Sequence, residues 1–303
     1  MKNIVLANLN ESVAAALDFF SVHQPANLDL KKYDFPIIVG SGNAYNTAQA
    51  IFSGRPAIIA NESNFIQILK NYQKLIKNKI IDQAIIISAS GEKDAIWETK
   101  LAKKQGLKTT LITCQAASSA AKLANETIIY NKLPEPYTYN TSTYLGMFLG
   151  ASGEKASFIK KFINSLKLPK NIGSYRAYSF ILPDEFSAIS PMLEIKRNEL
   201  FGPYLSLRAF SFGEARHAKF VNNWDQELII SFGANKYFGE KKNRLEIKIP
   251  SAAGPGLIFA LSYYLIGLIQ SQKTPYFKKN IAQYCISGPK AYDQKKPFDL
   301  IVK

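Results

Sequence analysis

Cysteine, histidine and acidic residues are all scarce in this chain, and each scarcity removes a class of chemistry. Only two cysteines occur in 303 residues, Cys114 and Cys285, and they form no C-x-x-C pair. A disulfide framework and a thiolate zinc site therefore have no support. Only two histidines occur, His23 and His217, so there is no metal-spaced His/Cys set and no metal is expected. Walker loops and dinucleotide fingerprints are missing too, and no organic cofactor is expected. The longest strongly apolar run, Leu257 to Ile269, is shorter than the roughly 20 residues a bilayer span needs. The opening residues MKNIVLANLNESV hold no signal-peptide apolar region. A cytoplasmic location without membrane contact is the expectation.

Acidic residues number 23 against 38 lysines and arginines, a net charge of +15. That balance would suit nucleic acid, but the lysines are scattered over many helix faces and are not interleaved with aromatics in one stripe. Nucleic acid is not an expected partner. A basic surface would instead draw small anions toward a site. Hydrophobic residues at 47% and aromatics at 12% are ample for packed cores, and a chain of this length implies about two domains.

The stretch Ala84 to Cys114, AIIISASGEKDAIWETKLAKKQGLKTTLITC, reads as strand, loop, helix, turn and strand. Ala84 to Ile87 has the length and β-branched make-up of a strand buried on both faces of a parallel sheet. Ser88, Ala89, Ser90 and Gly91 then bring two hydroxyls and a flexible backbone to the start of a helix, where free N–H groups and the positive helix end can converge on one anion. A plain pair of serine caps would look the same. In the helix, Ile96, Leu101 and Ala102 are expected to face a core, Lys100, Lys103 and Lys104 to face water, and Gly106 to close the C-terminus.

The same alternation recurs along the chain. A helix from Leu6 to Phe20 precedes a strand at Ile37 to Gly40, a Gly-containing turn and helix at Ser41 to Gly54, a strand at Ala57 to Ala60 and a helix from Asn64 to about Ile76. With Ala84 to Ile87, Lys108 to Thr113 and Thr127 to Tyr130 this makes a doubly wound parallel sheet, with a helical tail from about Thr141 to Leu166. After LKLPKNIGS (Leu166 to Ser174) a second series begins: Tyr175 to Leu182, a helix through Glu199, Leu205 to Ser211, Leu228 to Phe232, Arg244 to Ile249 and a helix from Pro255 to Ser271. Two weakly similar copies of one α/β fold are expected, followed by a Lys- and Pro-rich tail.

SASGEK, followed by a helix and GLKTTLITC, resembles the SQSGET segment of SIS domains, the sugar isomerase fold that binds phosphosugars. The resemblance implies two doubly wound, Rossmann-like SIS domains in tandem. The division is a helical segment at 1–34, a phosphosugar-binding domain at 35–168, a domain with the catalytic Glu and His at 169–271, and a tail over the site at 272–303. Ser41, Gly42 and Asn43 stand where the family has its first Gly-Ser turn, and Ser88, Ala89, Ser90, Gly91 and Lys93 stand in its phosphate loop. Ala89 and Lys93 depart from the family's Gln and Thr. Lys93 is thus either a phosphate ligand replacing a hydroxyl or a solvated first-turn lysine. EPYTYNTSTYLG (Glu135 to Gly146) is similar to a loop of glucosamine-6-phosphate synthase, which makes Thr141, Ser142 and Thr143 candidates to cap a helix and touch the sugar.

LEIKRNELFGPYLSLRAFSFGEARHAKFV, Leu193 to Val221, resembles the catalytic stretch in the isomerase half of that synthase. Glu199 matches the glutamate closing LKLKE, and Gly213, Glu214 and His217 match its GELKH turn. Gly202 and Pro203 are an insertion, and HAK through Lys219 replaces HGP. Glu199 is implied as the base that moves a proton between C1 and C2, and His217 as the acid/base that opens the ring. His23 has no partner in sequence. A family lysine that reaches over the site corresponds to Lys278 or Lys279. In related dimers the histidine enters the neighbouring subunit's site, so a homodimer is implied. The resulting expectation is an aldose-ketose isomerase acting on a phosphorylated hexose or amino sugar. An amino-sugar phosphate deaminase, a fructosamine-6-phosphate deglycase and a non-catalytic phosphosugar regulator are the alternatives.

Overall fold

The computed structural model describes residues 5–218, 224–292 and 294–303. Two compact units are present. One comprises His23–Lys132 and Ser142–Gly153, and the other Met1–Val22, Leu133–Thr141 and Glu154–Lys303. Helix α1 (Leu9–Val22) thus belongs to the unit that holds the C-terminal half of the chain.

In the first-sheet unit the order is β1 (Ile37–Gly40), α2 (Asn43–Phe52), β2 (Ile58–Ala60), α3 (Phe65–Asn71), α4 (Gln73–Lys77), β3 (Gln83–Ile87), α5 (Asp94–Lys104), β4 (Lys108–Thr113) and β5 (Glu126–Ile129). All five strands are parallel, in the order β2-β1-β3-β4-β5. That order reverses direction between β1 and β3, the switch point at which open α/β sheets take their ligands. Every residue of β1 is buried, and Ile37 and Val39 pack with Ala84 and Ile86 into one core layer against Phe65, Leu69, Ala95 and Ala102. Alternating side chains of an apolar strand thus serve the helices on both sheet faces.

Two helices differ from expectation. The single helix foreseen from Asn64 to Ile76 is broken at Tyr72, whose N–H is shared between the Ile68 and Lys70 carbonyls, tightening the last turn of α3. In α5 the buried stripe is Ala95, Glu98, Thr99 and Ala102, while Ile96 and Leu101 are half-buried. The i, i+3, i+4, i+7 spacing is sound, but two of its four positions are polar, which hid it from a reading by hydrophobicity. Lys100, Lys103 and Lys104 are exposed, and Gly106 closes the helix at φ +81.

In the second-sheet unit β7 (Ala177–Leu182), α8 (Ser190–Phe201), β8 (Ser206–Ser211), α9 (Phe212–His217), β9 (Glu227–Phe232), β10 (Arg244–Ile247), α10 (Pro255–Ser271) and α11 (Tyr276–Ser287) follow β6 (Glu135–Pro136) and α7 (Ala156–Ser165). A two-residue strand, β11 (Ile301–Val302), pairs antiparallel with β6. Strands β7 to β10 are parallel in the order β10-β9-β7-β8, which read from the other edge repeats the first four positions of the first sheet. The helical stretch expected from Thr141 to Leu166 is two helices, α6 (Thr141–Ser152) and α7, parted where Gly153 turns left-handed at φ +73 and donates to the Leu149 carbonyl.

Helix α10 is the centre of this unit. Its N-terminus is capped by Glu154, whose carboxylate accepts the N–H groups of Gly254, Gly256 and Leu257 at 2.8, 2.7 and 3.0 Å. A negative charge there also matches the helix dipole. Along α10, Gly267 leaves room for α1: a Cβ would lie 1.9 Å from the Asn10 nitrogen. The residues read as a Lys- and Pro-rich tail contain α11, whose buried face is Phe277, Ile281 and Cys285. Three apolar residues at i, i+4 and i+8 make a narrow stripe that its lysines obscured.

Candidate functional site

Each unit holds its own set of candidate residues. In the first-sheet unit, Gly40 pairs with Ile87 at the carboxyl ends of β1 and β3, so the loops beginning at Ser41 and Ser88 leave the sheet side by side at the switch point. They are tied together, for Ser41 Oγ donates to Asp94 Oδ2 at 3.3 Å. Gly42 stands at the N-cap of α2 with φ 56 and ψ −122, and Lys93 at the N-cap of α5 with φ 55 and ψ −121. The two loops thus enter their helices through one backbone geometry, which glycine adopts freely and lysine adopts under strain.

Within the second loop Ser88 Oγ accepts the Gly91 N–H at 3.1 Å, and Ser90 Oγ accepts the Glu92 N–H at 3.3 Å. Both hydroxyl oxygens receive loop N–H groups, leaving their protons to be donated outward. Gly91, at φ +62, could carry no side chain: a Cβ would lie 2.2 Å from Ser118 Oγ. The Ala89 carbonyl accepts the Cys114 N–H, which fixes the loop against the end of β4. Burial lowers the pKa of Lys93, opposed by the adjacent Asp94 carboxylate. Asn43 Oδ1 is buried and has no hydrogen-bond partner among the described residues. Asp94 was not foreseen. It also accepts from Trp97 Nε1 at 3.2 Å, and only the folded crevice places it opposite Ser41.

In the second-sheet unit, Glu199 lies on the last turns of α8 beside a cavity of about 300 Å³ lined by Thr138, Asn198, Glu199 and five residues of α11. Those five, Tyr276, Phe277, Asn280, Ile281 and Tyr284, form one face of that helix. Lys196, one turn before Glu199, has a fully buried side chain. Its ammonium donates to Glu199 Oε2 at 2.6 Å and to the carbonyls of Thr138 and Tyr139 at 2.7 and 3.2 Å. Three protons meet three acceptors, so the ammonium is held in place and orients the Glu199 carboxylate. The Tyr263 ring lies 5.3 Å below it. Sequence reasoning missed Lys196, although its i, i+3 spacing to Glu199 on one helix was the available signal.

The remaining candidates have other surroundings. Glu214 closes a capping box: its carboxylate accepts the Ser211 N–H at 2.7 Å, and Ser211 Oγ accepts the Glu214 N–H at 3.2 Å. The S-x-x-E spacing of that box was present in the sequence. His217 is exposed at the end of α9, and Glu214, His217 and Lys278 are not in the lining of the Glu199 cavity. Lys219 and the rest of the segment to Val221 fall outside the described residues. Thr141, Ser142 and Thr143 are all buried, and the Thr141 N–H is capped by Glu135 Oε2 at 2.6 Å. In the same loop Thr138, at φ +75, reaches the cavity wall. Among the described residues no group of three or more His, Cys, Asp or Glu is placed to hold a metal ion. No described helix is long and apolar enough to cross a membrane.

No family model matches the chain. The C-terminal domain of glucosamine-fructose-6-phosphate aminotransferase from Francisella tularensis superposes with a TM-score of 0.59 at 15% identity, over 87% of this chain and 93% of that one. Tagatose-6-phosphate ketose/aldose isomerase from Escherichia coli gives 0.58 at 11% identity, over 89% and 92%. The chain thus shares the fold of these two phosphosugar enzymes. Glutamine–fructose-6-phosphate aminotransferase (isomerizing) of Pyrococcus horikoshii is 31% identical over 122 residues, which are 38% of this chain and 20% of that protein. The chain thus matches about a fifth of that relative's length.

Proposed function

We propose that the protein is a sugar-phosphate isomerase in which each sheet is one sugar isomerase domain. The carrying observation is the Glu199 carboxylate, held by a buried ammonium at the wall of a cavity large enough for a hexose phosphate. A carboxylate anchored through one oxygen keeps the other for proton transfer. Glu199 takes a proton from C1 of a ketose and the electron pair forms the C1–C2 enediolate; the proton returns at C2 while the C1 hydroxyl proton passes to O2, so that C1 becomes the aldehyde carbonyl and the former C2 carbonyl a hydroxyl. In this reading the hydroxyls of Ser88 and Ser90 and the ammonium of Lys93 form a phosphate-sized anion site of the first-sheet unit. His217 supplies the ring-opening acid/base. Its exposure, away from the lining of its own chain's cavity, fits a histidine that serves a second copy in a homodimer. The relatives' aminotransferase and isomerase names support a phosphosugar substrate.

The test is a proton and carbon NMR time course with fructose 6-phosphate in heavy water, with and without ammonium. Deuterium at C2 of a glucose or mannose 6-phosphate product is expected, lost in Glu199→Gln. Ammonia release from an amino-sugar phosphate without such exchange would assign the deaminase or deglycase chemistry instead. Binding without any exchange would leave a phosphosugar sensor.

A further inference from the structure

A second cavity of the second-sheet unit, about 290 Å³, is lined by Arg176, Phe201, Tyr204, Leu205, Lys273 and Thr274. It gathers the residues that precede β7 and β8, so it opens at the amino ends of these strands, opposite the end that leads into α9. Its space is distinct from the Glu199 cavity. The wall between them includes Tyr204 on one side and Tyr276 on the other, edge to face at 5.6 Å.

The charges here are unbalanced. Two cations line the cavity and no carboxylate does, and among the described residues neither Arg176 nor Lys273 has an ion-pair partner. Lys273 is held in place by the Tyr175 carbonyl, which it meets at 2.5 Å, and by the Tyr178 ring at 5.9 Å, leaving two of its three protons undirected. Arg176 is exposed and lines the cavity, and its guanidinium is a planar fork of donors. Burial first, and then the Arg176 charge, lower the Lys273 pKa. Thr274 adds a hydroxyl before the first turn of α11, where the helix dipole is positive. Tyr204, 75% exposed, supplies an apolar flank, backed by the buried Phe201 and Leu205.

We infer that this cavity is a second anion site, built for a small phosphate monoester whose apolar or ring portion lies against Tyr204. Arg176 and Lys273 together supply the charge and the forked donors that a dianion needs, and the missing carboxylate removes the competitor for them. The site is independent of the Ser88 and Ser90 loop.

Equilibrium dialysis with radiolabelled inorganic phosphate counts the sites. Native protein should bind one more phosphate per chain than Arg176→Glu, in which an exposed residue is reversed without disturbing the core. Lys273→Gln should lose the same phosphate. Ser88→Ala with Ser90→Ala should retain it, as should the control Lys161→Glu on the exposed face of α7. An unchanged phosphate count in Arg176→Glu and Lys273→Gln would overturn the assignment. So would a loss equalled by Lys161→Glu, because that would report only the general positive field.

Discussion

At the residue scale, two buried charged side chains behave oppositely because of what surrounds them. Lys196 is fully buried and fully satisfied, its three protons spent on Glu199 and two carbonyls. Lys196→Met should therefore cost about 3 kcal/mol in urea unfolding, since it strands a carboxylate and two carbonyls. The same variant should lose hydrogen–deuterium exchange at the substrate carbon, and Lys196→Arg should restore part of the stability but less of the exchange. Glu98 is 1% exposed and its Oε1 has no hydrogen-bond partner among the described residues. Burial, with Asp94 and Glu62 adding repulsion, pushes its pKa up to about 8. A carboxyl that holds its proton more tightly when folded destabilises the fold as pH rises from the unfolded value toward the folded one. Native stability should fall by a few kcal/mol between about pH 5 and pH 8, and Glu98→Gln should flatten the curve over that window. A profile unchanged by Glu98→Gln would contradict the argument.

At the scale of elements, the inserted Gly202 and Pro203 acquire a structural reason. Gly202 ends α8 with φ +55, and a Cβ there would lie 2.4 Å from the Tyr276 ring of α11. A glycine lets α11 close over the turn that carries Glu199, which places Tyr276 and Phe277 in the cavity wall. Gly202→Ala is expected to cost about 2 kcal/mol, from the positive φ and the clash together. Hydrogen exchange should show the loss concentrated in the amides of α11. An equal loss throughout the unit would mean that the clash is absorbed elsewhere.

At the scale of the whole molecule, the chain returns to its own beginning to complete the second-sheet unit. Helix α1 buries Val13, Ala16, Leu17 and Phe20, and the Leu9 N–H donates to the Gln270 side chain of α10 at 2.8 Å. Deleting α1 should therefore lower the protection of α10 against exchange, although more than two hundred residues separate them in sequence. Unchanged protection of α10 in the deletion variant would refute that coupling.

The sequence determined the elements whose physics is local. β-branched runs such as IIVG and AIII made strands buried on both faces, Gly106 ended α5, and the parallel alternation predicted two sheets. It also placed Ser41 and Ser88 at strand ends, where the sheet register later brought them side by side. Tertiary structure decided the rest, because the deciding partners are distant in sequence or polar. Glu154 became the cap of α10 across a hundred residues, and Glu98 went into a core that hydrophobicity would have denied it. The residues of the tail became the wall of the Glu199 cavity because three apolar positions of α11 found α8 to pack against. Glu214 could be named from a motif, but only its capping hydrogen bonds show it spent on the backbone, while Glu199 remains at an open cavity.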